Sequence, residues 1–221
     1  MFSSQDKLFM KEAIDQAKKA FDNNEVPVGA VIVHDNVVVA SACNSVIADN
    51  DISSHAEINA INNAKKKIDK EFKSFSELVL ICTLEPCSHV GKTGSCAQAI
   101  AKTGIKKVVI GSIDPNPLVS GNGIKILEEN GIQVEKGICS DLVERQNRFF
   151  FFKQKNIRPY LTVKIASSAD GKSHLNNTER TIITSEASRD DVQILRAERD
   201  AILTGGNTLR SDNPRMNARV S

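Results

Sequence analysis

His55, Glu57, Cys87 and Cys96 are the residues of this chain whose types and spacing can do chemistry. Zinc takes nitrogen and sulfur ligands, and a catalytic zinc site keeps three protein ligands and one position open to water. One imidazole and two thiols, His55, Cys87 and Cys96, supply such a set. A metal held there lowers the pKa of its water towards neutrality. Glu57 stands two residues after His55, close enough to share the cavity without ligating. It is placed to take a proton from water and deliver it to a leaving amine. Taken singly, these residues have blander readings: His55 as a capping or surface histidine, either cysteine as core packing. Together, His-x-Glu and Pro86-Cys87 behind an apolar strand favour the metal. A structural zinc site is the weaker alternative, since such sites usually have four ligands and no use for a glutamate. Cys43, Cys82 and Cys139 lack this context and read as plain thiols.

The elements that must position this set follow from periodicity and turn residues. Ser3 or Ser4 caps a first helix with an apolar stripe of Leu8, Ile14, Ala17 and Phe21, ending near Asn23-Asn24. Apolar runs at 29–33 and 37–40 flank Asp35-Asn36, a hairpin signal. Ser53 or Ser54 caps a helix that carries His55, Glu57, Ile58 and Ile61 and ends in Lys65, Lys66 and Lys67. Strand 78–83 runs into Glu85-Pro86-Cys87, with Pro86 suited to a helix start at Cys87, and a loop leads to a helix over 96–102. Strand 107–110, helix 121–130 stopped by Gly131, and strand 132–135 continue the alternation. This pattern predicts a sheet with helices packed on it. A helix over 141–155, with Phe149–Phe152 as a buried face, leads to a boundary at Asn156-Ile157-Arg158-Pro159. Beyond it a strand at 160–165, a helix at 185–199 and a strand at 201–204 are expected.

Composition sets outer limits. The 221 residues hold one large domain or two small ones, and 40% hydrophobic with 25% charged residues is ordinary for a globular protein. A net charge of +2 does not suggest a general nucleic-acid binder. Five cysteines are an odd number without the spacing of a secreted scaffold and read as intracellular thiols. No charged-then-apolar leader opens the chain and no apolar run reaches membrane-span length, so a cytoplasmic protein without a membrane partner is expected.

The His-x-Glu and Pro-Cys pattern resembles the zinc nucleobase deaminases, with one departure: eight residues rather than two separate the thiols. The loop Cys87-Ser88-His89-Val90-Gly91-Lys92-Thr93-Gly94-Ser95-Cys96 resembles the signature of the riboflavin-biosynthesis deaminase–reductase family. Asp114-Pro115-Asn116-Pro117 with Gly121-Asn122-Gly123 resembles a second stretch of that family. The resemblance implies a diaminopyrimidine ribosyl phosphate substrate. It assigns Lys92 and Thr93 to the phosphate and makes His89 and Asp114 candidate substrate contacts. Further along, 164–171, 195–197, 201–205 and 208–214 resemble the opening of the family's reductase domain. They imply NADP contacts at Ala166, Ile182, Thr208 and Asp212, and substrate contacts at Arg180, Arg196, Met216 and Arg219. The family's cofactor position is usually aromatic where Ile182 stands.

The first third departs from that pattern. Glu25-Val26-Pro27-Val28-Gly29, and Asn44 eleven residues before His55, resemble the tRNA adenosine deaminases, in which the asparagine contacts the flipped base. The two resemblances imply one fold: a three-layer αβα cytidine-deaminase-like α/β domain over 1–145. A helix and linker at 146–159 follow, then a partial dihydrofolate-reductase-like α/β segment at 160–221. The expected function is deamination of the pyrimidine ribosyl phosphate with zinc, with NADP(H) used only if the reductase part is completed. The 65 positions from 157 onward are too few for a whole reductase, so a truncated form or a fragment is expected. A tRNA adenosine deaminase, with tRNA as partner, is the alternative, and a non-catalytic zinc-stabilised interaction protein is a third reading. The resemblances also imply a homo-oligomer.

Overall fold

The computed structural model describes residues 3–88, 94–117, 119–175 and 181–220. It divides into two units, Met1–Tyr160 and Leu161–Ser221. In the first unit, five strands form one sheet in the order β2-β1-β3-β4-β5. They are β1 (Gly29–His34), β2 (Val37–Cys43), β3 (Val79–Leu84), β4 (Lys107–Ser112) and β5 (Gln133–Lys136). β1 is antiparallel to both β2 and β3, whereas β3, β4 and β5 run parallel. Asp35 and Asn36 join β1 to β2 with φ of 46° and 62°, the positive values a two-residue hairpin turn needs.

The sheet is buried on both faces, and alternate residues serve opposite layers. Ala30, Ile32, Leu80, Cys82, Val108 and Ile110 face α2 (Ala56–Lys65), α3 (Cys96–Ala101) and α4 (Asn122–Glu129). Val31, Val33, Ile81 and Val109 face α1 (Ser4–Asp22) and α5 (Ser140–Gln146). This is the expected αβα sandwich. Each fully buried Ile or Leu contributes about 1.5–3 kcal/mol relative to exposure.

Three local expectations are corrected. The buried face of α1 is Phe9, Met10, Ala13, Ala17 and Ala20, while Leu8 and Phe21 are exposed. The cause is close approach: a Cβ on Gly29 would stand 2.0 Å from the Ala13 carbonyl oxygen, so small residues line the contact. The helix expected over 141–155 is two helices, α5 and α6 (Arg148–Lys155), broken at Asn147. Asn147 is buried and donates from its side-chain amide to the Pro27 carbonyl, which holds it off the helical path. Within α6 only Phe151 is buried, and Phe149 and Phe152 pack edge-on against Tyr160.

In the second unit Ser185 caps α7 (Glu186–Ala197) by accepting from the Ser188 amide at 3.3 Å, close to the expected helix. A further helix, α8 (Gly206–Asp212), follows. The strands expected at 160–165 and 201–204 are absent among the described residues. A strand needs a hydrogen-bonded neighbour, and neither segment finds a ladder there. Leu161, Val163 and Ile165, the apolar alternation that suggested a strand, are largely exposed.

Candidate functional site

Two connections at one end of the sheet, β2 to α2 and β3 to α3, bring the chemistry together. His55 is the residue at which α2 begins, Cys87 follows β3, and Cys96 is the first residue of α3. Their ligand atoms all lie within 4.8 Å of one another. His55 Nδ1 stands 3.2 Å from Cys96 Sγ and 3.8 Å from Cys87 Sγ. Cys87 does not open a helix as expected; it lies on the loop after β3. A helix N-terminus reaches it all the same, because the Cys96 amide donates to Cys87 Sγ at 3.3 Å. Ser95 sets that geometry by capping α3, its hydroxyl accepting from the Gln98 amide at 3.2 Å.

The charges in this cluster fit a cation. Hydrogen bonds from Cys96 first, then from His55, hold the Cys87 thiol down to about 4 against the effect of burial. Cys96 is pushed far the other way by sharing its hydrogen with Cys87 and by burial. The His55 imidazole is raised, chiefly by its hydrogen bond to Cys87. Two sulfurs this close cannot both ionise unless a positive charge sits between them. One imidazole and two thiols form the donor set of a three-ligand zinc site.

Glu57 lies in the first turn of α2, is buried and does not belong to the ligand cluster. Burial pushes its carboxyl up to about 7. Its Oε2 has no hydrogen-bond partner among the described residues. A buried, unpartnered carboxylate oxygen beside a metal-ligand set is suited to exchanging a proton with a bound molecule.

A cavity of about 500 Å³ opens onto the three ligands and is also lined by Val46, Ile52, Ser53, Ile58, Gly94, Gln98, Ala99 and Lys102. Asn44 and Asp114 stand outside that lining and are engaged elsewhere. Asn44 Oδ1 accepts from the Ala56 amide at 2.9 Å and its amide donates to the Val26 carbonyl at 3.2 Å. Asn44 therefore does the capping of α2 that Ser53 or Ser54 was expected to do. Asp114 Oδ1 accepts from the Asn116 amide at 2.8 Å, closing a tight turn. His89, Lys92, Thr93 and Arg180 lie outside the described residues.

In the second unit Ala166, Ile182, Arg196 and Arg219 line a cavity of about 230 Å³ together with Lys164 and Arg189. Thr208, Asp212 and Met216 are not part of that lining. Arg196 donates to the carbonyls of Arg215 and Asn217, both at 3.2 Å.

Two carboxylates escaped the sequence reading. Glu85 is buried and accepts four backbone amides: Asp114 at 3.2 Å, Gly121 at 3.0 Å, Gly123 at 2.9 Å and Ile124 at 3.3 Å. It thereby joins the strap carrying Cys87 to the start of α4. Its one signal in the sequence is an acidic residue between an apolar strand and Pro86-Cys87. Glu25 is also buried and accepts from Ile47 and Ala48; it opens the Glu25-Val26-Pro27-Val28-Gly29 stretch, but nothing local announces those partners.

Comparison with known proteins places these features. Residues 3–112 match the family described as the cytidine and deoxycytidylate deaminase zinc-binding region, and 159–221 match the RibD C-terminal domain. The riboflavin biosynthesis protein RibD of Buchnera aphidicola is 40% identical over 97% of this chain and 55% of its own length. That of Bacillus amyloliquefaciens is 39% identical over 96% of this chain and likewise 55% of its own. The chain thus spans about half the length of these relatives. Among solved structures, Acinetobacter baumannii RibD superimposes with a TM-score of 0.80 at 36% identity, covering 97% of this chain and 58% of that one. A structure from work on A-to-I editing by tRNA:A34 deaminases superimposes at 0.54 with 29% identity, over 63% of this chain and 98% of that one.

Proposed function

Because the chain belongs to the RibD family of riboflavin-biosynthesis proteins, we propose that its Met1–Tyr160 unit is a zinc-dependent aminohydrolase acting on the diaminopyrimidine ribosyl phosphate of that pathway. The observation that carries this reading is the convergence of His55, Cys87 and Cys96 beside the unpartnered Glu57 carboxylate, in a chain similar to RibD along nearly its whole length. His55, Cys87 and Cys96 would hold the zinc. Zinc bound there supplies Lewis-acid activation of a water molecule. Glu57 Oε2 takes a proton from water and passes it to the departing amine, which leaves as ammonia while the ring carbon gains oxygen. Burial, which favours the protonated carboxyl, and the positive charge of a bound zinc, which favours the carboxylate, act on Glu57 in opposite directions, as a group that both takes and gives a proton requires. The apolar wall of Val46, Ile52 and Ile58 suits a flat heterocycle.

His89, Lys92, Thr93 and Asp114 are proposed to contact the ribosyl phosphate end. The Leu161–Ser221 unit is proposed to be part of an NADP(H)-dependent reductase module. Ala166, Ile182, Thr208 and Asp212 are assigned to the cofactor, and Arg180, Arg196, Met216 and Arg219 to the substrate. A cytoplasmic setting and a homo-oligomer complete the proposal. All five cysteines are free thiols, and no helix among the described residues is long and apolar enough to cross a membrane, in keeping with that setting.

The test compares ammonia release from the pyrimidine ribosyl phosphate and from a tRNA anticodon stem by the zinc-loaded chain. Release from the pyrimidine alone is expected. Release from the tRNA alone would instead select the adenosine deaminase reading. That reading rests on Glu25-Val26-Pro27-Val28-Gly29 and Asn44, and is less favoured because nothing in it accounts for the RibD match over 159–221. No release from either would leave a zinc-stabilised interaction protein, a role for which Glu57 has no use.

A further inference from the structure

We propose that Glu25 is a positioning residue: it latches the 44–54 loop in place as one wall of the cavity and thereby sets substrate affinity. The loop supplies Val46, Ile52 and Ser53 to the cavity that holds His55, Cys87 and Cys96. It has almost no hydrophobic anchor of its own. Ile47 and Ile52 are largely exposed, and Ser54 is its one buried residue. Its position therefore rests on hydrogen bonds. Its two ends meet where the Ser45 amide donates to the Ser54 carbonyl at 3.0 Å. Asn59, one turn into α2, secures that closure from beneath, its amide donating to Ser45 Oγ at 2.9 Å and to the Cys43 and Ser54 carbonyls at 3.2 Å.

Within the loop, Asp49 accepts from the Ser45 hydroxyl; among the described side chains outside it, Glu25 holds its far side. Asn24, with φ of 60°, turns the chain sharply at the end of α1 and directs the next residue inward. Glu25 is 5% exposed. Its Oε1 accepts from the successive amides of Ile47 at 2.6 Å and Ala48 at 3.0 Å. Successive amides facing one point form a concave, partly positive nest that stabilises an anion. A buried carboxylate without such donors would be costly, so carboxylate and loop hold each other. Glu25 touches neither the metal ligands nor the cavity, so it acts through the loop.

The kinetic arm of this inference rests on the deaminase reading; a second arm does not. In the full zinc-loaded chain, Glu25→Ala is expected to raise KM by about tenfold while kcat stays within about threefold of the parent. Amide exchange across 45–54 should accelerate. Glu25→Gln keeps a carbonyl oxygen that can accept both amides, as Oε1 alone does here, and should restore both quantities to near the parent. If Glu25→Ala does not fold, Glu25→Asp, one methylene short of the amides, carries the same expectation. A folded alanine variant with parental KM and parental exchange would overturn the latch. Equal losses in the alanine and glutamine variants would do so too, by assigning the effect to charge. Loss of zinc or of kcat without a KM change would make Glu25 merely structural. If the parent itself releases no ammonia, the proposed function has failed and exchange alone decides: faster exchange in Glu25→Ala but not Glu25→Gln supports the latch, and unchanged exchange overturns it.

Discussion

Glu57→Gln is the sharpest experiment at the scale of single residues. The amide fits the same buried space but cannot carry a proton between water and amine. Zinc content is expected to stay at one per chain while turnover falls by about 10²–10⁴-fold. Metal analysis with ammonia release on one preparation checks both, and full activity in the variant would remove the carboxylate from the mechanism. A second expectation concerns the thiols. Stripping zinc with a chelator should abolish turnover and leave Cys87, whose thiol is held down to about 4, open to alkylation at neutral pH. Peptide mapping after iodoacetamide treatment should find the label on Cys87 in stripped protein and little of it in zinc-loaded protein. The metal set was legible in the sequence because ligand chemistry admits few residue types at few spacings. Asn44 was legible only in part. Its type and distance from His55 stood out, but its hydrogen bonds to Ala56 and Val26 depend on a fold no local pattern encodes. Glu25 and Glu85 stood within marked stretches, but their roles left almost no signal, since their partners are backbone amides, which every sequence has.

Among the elements, the junction of β3, the Cys87 strap and α4 is as close as the α1–β1 contact at Gly29. A Cβ on Gly123 would stand 2.0 Å from the Pro86 carbonyl oxygen and 3.1 Å from Glu85 Oε1. Gly123→Ala is therefore expected to destabilise the first unit by about 1–3 kcal/mol, as overpacking does. Glu85→Gln should cost a similar amount, since an amide nitrogen turned towards backbone N–H groups leaves them unsatisfied. Urea unfolding of both variants measures this; a midpoint unchanged in both would remove the junction from the account of stability. The strands of the sandwich were readable because each alternates or runs apolar between turn residues, and all five lie close to their expected positions. The buried face of α1 was not, because the glycine that admits the helix backbone lies on β1, and helical periodicity does not report its neighbour. The strands expected at 160–165 and 201–204 carry the right residues, but strand structure depends on a partner as much as on composition.

For the whole molecule, the two units differ in how they are held. The first has a two-sided core, whereas α7 and α8 contain no buried residue. Limited trypsin digestion is expected to cut within 161–221 first and leave a fragment near Met1–Tyr160; early cuts inside the sandwich would contradict this. Steady NADPH oxidation with deaminated substrate is not expected from this chain alone, because its second unit offers no sheet among the described residues on which to lay a dinucleotide. Cofactor turnover by the purified chain would show otherwise. The mixed strand order described above also leads us to expect an order of events in folding. The β1–β2 hairpin closes through two residues and forms early, on the scale of about 1–10 μs. β3 must then cross back to lie beside β1, and β4 must dock parallel to β3, each after a long excursion of chain. His55 lies on the first excursion, and Cys87 and Cys96 lie on the second. A nascent or refolding chain is therefore expected to have no complete metal-binding pocket until the centre of its sheet is assembled, so that zinc capture should time the late phase of folding and leave the earlier phase indifferent to the ion.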